Sequence, residues 1–105
     1  MDEIVNLLNA IGIEHAYHHF AEGESPDPPF ICYLLPNSDN YSADNQAYYK
    51  ANEVHIELYI DEKSPTDEQK VESVLDENGI YYEKYEAWIE SEKMYQILYI
   101  FEMGA

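Results

Sequence analysis

The sequence predicts an α+β domain: a mainly antiparallel sheet with a long projecting β-hairpin and two helices packed on one face, in the order α-β-β-β-β-α-β-β. Three observations predict it. Two segments carry apolar residues at helical spacing between recognisable start and stop signals; Val54, Ile56, Leu58 and Ile60 alternate with His55, Glu57 and Tyr59; and Tyr95, Ile97, Tyr99, Phe101 and Met103 alternate near the C-terminus. At 105 residues the chain has room for one domain, 1–105, around one core.

Taken in order, Ile4, Leu7, Leu8 and Ile11 recur at helical spacing behind an acidic first turn, and Gly12 stands where a left-handed cap belongs, so a helix is expected over 2–11. Residues 16–20 read as a short strand. Pro26, Pro28 and Pro29 make 22–29 a loop, because proline denies the backbone both helix and ladder bonds. Residues 30–35, Phe-Ile-Cys-Tyr-Leu-Leu, are apolar on both faces, as in a central strand, and Pro36 marks the end of that strand or a bulge. Residues 37–61 read as a two-stranded hairpin turning at Asp44-Asn45, with a tip beyond the core.

Ser64-Pro65-Thr66-Asp67 opens the second helix: Ser64 as N-cap, Pro65 at the first helical position, and Asp67 and Glu68 at the positive end of the dipole. Val71, Val74 and Leu75 are its buried stripe. Asn78-Gly79 stops it, with Ile80 placed for the accompanying hydrophobic contact. Strands over 80–89 and 95–103 follow, joined through Glu90-Ser91-Glu92-Lys93.

Charge decides which partners to discard. Twenty-two Asp and Glu oppose five lysines and no arginine, a formal charge of −17. Binding nucleic acid or anionic membrane needs clustered cations, which this chain lacks, so neither is an expected partner. Acidity does not imply disorder, because 46% of the residues are hydrophobic and 14% aromatic. No apolar run approaches the roughly 18 residues that span a bilayer, and the Met1-Asp2-Glu3-Ile4 start is unlike a basic signal peptide, so a cytosolic site of synthesis is expected. Cys32, the sole cysteine, sits in an apolar run and reads as a small buried hydrophobe.

Candidate chemistry is sparse. His15, His18 and His19 are the one cluster with a ligand flavour, but a strand there points His18 and His19 to opposite faces, so no metal site is assigned. Asp76-Glu77, Asp61-Glu62 and Glu90 with Glu92 read as a solvated face rather than acid/base pairs. The acidic stretch 39–47 lacks the glycine and distal glutamate of a calcium loop, and no glycine-rich phosphate cradle or serine elbow exists. No catalytic residue and no cofactor is expected. What remains is surface: Tyr41, Tyr48, Tyr49, Tyr59, Tyr81, Tyr82 and Tyr85 exceed what one small core needs, and tyrosine suits interfaces because it buries a rigid ring while keeping a polar tip. These residues are the expected subunit contacts.

Nearly end to end, the chain resembles small proteins encoded in the head–tail joining and tail gene cluster of prophages of Gram-positive bacteria. The resemblance is carried by Ala16-Tyr17-His18-His19-Phe20, Ser25-Pro26-Asp27-Pro28-Pro29-Phe30-Ile31, Pro36-Asn37-Ser38, Ser42-Ala43-Asp44, Glu53-Val54-His55-Ile56-Glu57-Leu58-Tyr59, Ile89-Glu90-Ser91-Glu92-Lys93-Met94-Tyr95 and Phe101-Glu102-Met103. The element order looks like that of tail-terminator and tail-completion proteins of long-tailed phages. The resemblance implies a non-enzymatic virion protein that self-associates into a ring, a hexamer, between the tail tube protein and the head–tail connector, located in the virion tail after assembly in the host cytoplasm. An anionic ring lumen would let DNA pass without sticking. The competing expectation is an acidic DNA mimic that inhibits a host DNA-binding enzyme; its acids, however, are scattered with no stripe at phosphate-like intervals.

Overall fold

In the computed structural model, which describes residues 2–20, 25–36 and 52–103, the chain is α+β, with two helices and a five-stranded, mostly antiparallel sheet. The elements are α1 (Asp2–Ile11), β1 (His15–Tyr17), β2 (Phe30–Leu34), β3 (Asn52–Ile60), α2 (Pro65–Glu77), β4 (Tyr82–Ile89) and β5 (Met94–Met103). The first strand and tip of the expected hairpin lie outside the described residues; its second strand is β3.

Both helices end where local chemistry says they should. Gly12 takes φ +82° after α1, a conformation open to glycine and costly for residues with a Cβ. At the start of α2 the Ser64 hydroxyl accepts from the Asp67 backbone N–H at 3.2 Å. At its end the Ile80 N–H donates to the Leu75 carbonyl and the Gly79 N–H to that of Asp76, the paired bonds of a Schellman cap with Gly79 at φ +68°. Ile80 folds back onto the core, completing the cap's hydrophobic contact.

The strands lie in the order β1-β2-β3-β5-β4, so β5, last in sequence, is inserted between β3 and β4. β1 runs parallel to β2 and every other pair is antiparallel. A parallel neighbour needs a connection of a dozen or so residues to bring the chain back, and the proline-bearing loop between β1 and β2 supplies it. β1 is shorter than the expected 16–20 strand. His18 adopts φ +71°, which ends the ladder, and its N–H closes on the Tyr33 carbonyl at 2.7 Å.

Register assigns each side chain to a face. Val54, Ile56 and Leu58 of β3 oppose Phe101, Tyr99 and Ile97 of β5, and Ile56 and Leu58 oppose Tyr33 and Ile31 of β2. Because successive residues alternate faces, all of these share one side. They form a single buried cluster with Ile4, Leu7, Leu8 and Ile11 of α1 and Val71, Val74 and Leu75 of α2. Both helices therefore cover the same face, as the pattern predicts.

On that face β4 presents Tyr82, Lys84, Glu86 and Trp88, opposite Phe101, Tyr99, Ile97 and Tyr95. Here ions hold the layers together. Lys84 bridges Glu68 and Glu72 of α2 at 2.8 and 2.6 Å, and Lys63 reaches Glu68 at 2.8 Å and also pairs with Glu86. Glu68, only 8% exposed, is thus held between two ammonium groups. The Tyr99 hydroxyl donates to Glu72 at 2.8 Å, and Lys84 lies 5.9 Å from the centre of the Tyr99 ring.

Candidate interaction surface

Among the described residues, no helix lies over the other face of the sheet. Alternation places on it Phe30, Cys32 and Leu34 of β2; Glu53, His55, Glu57 and Tyr59 of β3; Gln96, Leu98, Ile100 and Glu102 of β5; and Glu83, Tyr85, Ala87 and Ile89 of β4. At the β2 end aromatic rings provide cover: Phe20 meets Phe30 edge-on at 5.5 Å and Tyr59 stacks on Phe30 at 5.1 Å, leaving Phe30 and Cys32 buried. Toward β5 and β4 that cover ends, and Leu98, Ile100 and Ile89 remain half-buried.

Polar groups on this face bond to each other along the surface. Tyr59 donates to Glu57 at 2.9 Å and accepts from Gln96 at 2.9 Å; Tyr85 donates to Glu83 at 3.0 Å; and His55 pairs with Glu53 at 2.5 Å. The charged side chains on the face are carboxylates, Glu53, Glu57, Glu83 and Glu102. The described lysines lie elsewhere: Lys63 and Lys84 under the helices, Lys70 on α2 and Lys93 in the β4–β5 turn. The open face, as described, is therefore a mixture of aliphatic, aromatic and acidic groups, and of the described lysines Lys63 and Lys84 sit between sheet and helices.

The expected contact residues divide. Tyr59 and Tyr85 lie on the open face, and Tyr81, just before β4, is 85% exposed. Tyr82 does not join them. One step further along the strand, it turns to the helix side and packs edge-on against Tyr99 at 5.5 Å. Tyr41, Tyr48 and Tyr49 lie outside the described residues. Trp88, 46% exposed and edge-on to Tyr95 at 4.8 Å, escaped the tyrosine-based reading, although a lone tryptophan in a strand was signal enough.

The histidines differ from expectation. With His18 in the left-handed region there is no strand to separate them, and the His18 and His19 rings meet, Nδ1 to Nδ1, at 3.0 Å. His15 turns its Nδ1 to the Ile13 carbonyl at 3.2 Å. Among the described residues no group of three or more His, Cys, Asp or Glu could hold a metal ion. Burial, reinforced by nearby Glu57, pushes the Cys32 thiol above its usual value, which keeps it a thiol rather than a nucleophilic thiolate. Two shallow grooves flank the end of β5. One of about 660 Å³ is lined by Glu3, Asn6, Ala10, Asn78 and Glu102 among others, and the second of about 500 Å³ by Glu53, Tyr81, Glu83 and Glu102 among others. Neither lining includes a histidine, cysteine, serine or lysine to work with the carboxylates.

Half-buried Tyr59 and buried Tyr99 set a limit at high pH. Burial, with Glu57 accepting its proton and Gln96 pulling the other way, pushes Tyr59 up to about 12. Burial and the Glu72 carboxylate raise Tyr99 further. An unfolded tyrosine ionises near pH 10. Because the folded chain keeps these protons, their stabilisation is complete below about pH 10 and is lost as pH rises toward the folded values. Absorbance at 295 nm should show a late phenolate wave, from Tyr59 and Tyr99, that coincides with cooperative unfolding. A single wave near pH 10 with unchanged circular dichroism would refute this.

No known protein family, curated protein or solved structure matches the chain.

Proposed function

We propose that this protein is a non-enzymatic component of a tailed-phage virion, capping or completing the tail tube at the head–tail junction as a ring, and that the open face of its sheet is a contact surface in that assembly. The observation that carries the reading is a sheet face without a helix over it among the described residues: half-buried Leu98, Ile100 and Ile89 beside Tyr59 and Tyr85 form an apolar field of the kind an interface core uses. The resemblance to head–tail cluster proteins supports the choice of assembly, and the apolar field on the sheet supports the choice of contact surface. The carboxylates around the field select a neighbour whose facing surface is neutral or basic, and they disfavour two such faces meeting.

The test is genetic and visual. A phage lacking this gene should assemble tail tubes of uncontrolled length or tails detached from heads, as seen by electron microscopy. Supplying the Leu98→Lys variant, which carries a cation in the apolar field, should reproduce the defect while the purified variant keeps the parent's circular dichroism. Normal infectious particles in the absence of the gene would overturn the proposal.

A second reading, a DNA mimic acting on a basic host enzyme, draws on the same row of open-face carboxylates. Phosphate backbones, however, have no counterpart to Leu98 and Ile100 between the charges, and this places the reading second. Capture of a purified basic DNA-binding enzyme, abolished by moderate salt, would reverse the order.

A further inference from the structure

Among the described strands the sheet has two edges, and they are not alike. β1 is three residues long, whereas β4 is eight residues, contains no proline, and is the most exposed strand of the sheet. An edge strand offers a row of unpaired backbone donors and acceptors, and natural edges of this length are usually blunted. On and beside this one stand Tyr81, Tyr85 and Trp88, at 85%, 53% and 46% exposure. The geometry points to a second copy of this chain as the occupant: β4 pairs antiparallel with β4 of another molecule, continuing the sheet across a two-fold axis at Tyr85.

In a two-fold antiparallel pair the axis runs normal to the sheet, so residues opposite one another must lie on the same face. Centred on Tyr85, Lys84 opposes Glu86 of the second copy and Glu86 opposes its Lys84, Tyr82 opposes Trp88, Glu83 opposes Ala87, and Tyr85 meets Tyr85. Shifting the centre by one residue brings Lys84 against Lys84 or Glu86 against Glu86. Centred on Glu83, glutamates meet; centred on Ala87, the one opposite-charge pair, Lys84 with Glu90, falls beyond the end of β4 at Ile89. Opposite-charge and aromatic pairs stabilise antiparallel ladders and like charges disrupt them, so Tyr85 is the centre the sequence of β4 selects. Lys84 and Glu86 already belong to the ion network with Glu68, Glu72 and Lys63. The pairing would join the two networks across the axis.

The contact is isologous and closes at two copies. It leaves both open faces uncovered on one side, so it stands apart from the virion reading and can fail without it. The formal charge of −17 on each chain opposes the approach of two copies at long range. Screening shortens that repulsion while leaving the ladder bonds in place, and dimerisation should therefore strengthen with salt.

Tyr85→Cys tests the register. Across the axis its Cα atoms would stand about 4.5–5.5 Å apart, within disulfide reach, whereas the two Cα atoms in Ala87→Cys would be separated by about 14 Å. Under mild oxidation Tyr85→Cys should give a disulfide-linked dimer at least tenfold more abundant than Ala87→Cys does; the parent chain, whose only thiol is buried Cys32, is the blank. Sedimentation at about 0.5 M NaCl should show the parent chain as a dimer. Tyr85→Lys, which sets two ammonium groups face to face at the axis, should be a folded monomer by circular dichroism and sedimentation. Equal cross-linking of the two cysteine variants, a parent chain monomeric at every salt concentration, or a persistent Tyr85→Lys dimer would each overturn the inference.

Discussion

Leu58→Ala is expected to lower the unfolding free energy by about 2–5 kcal/mol. Leu58 is fully buried in the middle of β3, with Ile31 on one side and Ile97 on the other. Helices close over that face, so the lost methyl groups leave a cavity that a rigid sheet cannot collapse into. A domain of this size typically has about 5–15 kcal/mol of stability, and the urea midpoint should drop steeply with little change in slope. The informative control is Leu98→Ala, next along β5 from Ile97 but on the open face and half-buried. It should cost less than about 1 kcal/mol, since a partly wet side chain loses little transfer energy and leaves no enclosed void. Equal losses would mean that the second face is covered as well.

Lys84→Met is expected to cost about 1–2 kcal/mol near neutral pH. The substitution keeps an apolar stem against Tyr99 but removes the ammonium from Glu68 and Glu72. Fully buried pairs lose about 3–5 kcal/mol when one partner is deleted; the Lys84 side chain is 37% exposed, and water screens part of the interaction. Dependence on pH separates charge from packing. Burial alone would push Glu68 up, but hydrogen bonds from Lys63 and Lys84 outweigh it and hold the carboxyl below its usual range. The stabilisation from a depressed carboxylate is present above its ordinary value and fades as pH falls through the folded value. Lys84 is the mirror case. Burial would lower it, yet its bonds to Glu68 and Glu72 raise it, so its stabilisation is complete below the ordinary lysine value and fades as pH climbs above that value. The difference between parent and variant, followed by urea midpoints, should be a plateau that declines at both the acidic and alkaline ends. A difference independent of pH would assign the effect to packing alone.

Both helices were legible because their determinants are local. Ser64, Pro65 and Gly79 act on backbone groups within a few residues, and the apolar stripe of α1 lies within a single short run. The same holds for the alternation of β3 and β5, and with it the division of their residues between two faces. β1 stops at Tyr17, short of the expected residue 20, because His18 takes a left-handed conformation that no residue pattern announces, stabilised by a bond to Tyr33 of β2. Among the proposed contact residues, Tyr81, Tyr82 and Tyr85 look alike in sequence. Only the pairing of β4 with β5 turns Tyr82 toward the core and leaves Tyr85 on the open side.

By itself the sequence determined the α+β class, the ends of both helices, the side of β3 and β5 that is buried, and the acidic character that weighs against polyanionic partners. Tertiary structure alone decided that β5 enters between β3 and β4, that β4 becomes a long edge, and that Lys63 and Lys84 converge on Glu68. The reason is the range of the forces involved. Caps and alternation are satisfied within a few residues of the chain, whereas strand order and ion networks depend on which distant surfaces can be desolvated together, and this is settled only when the core closes.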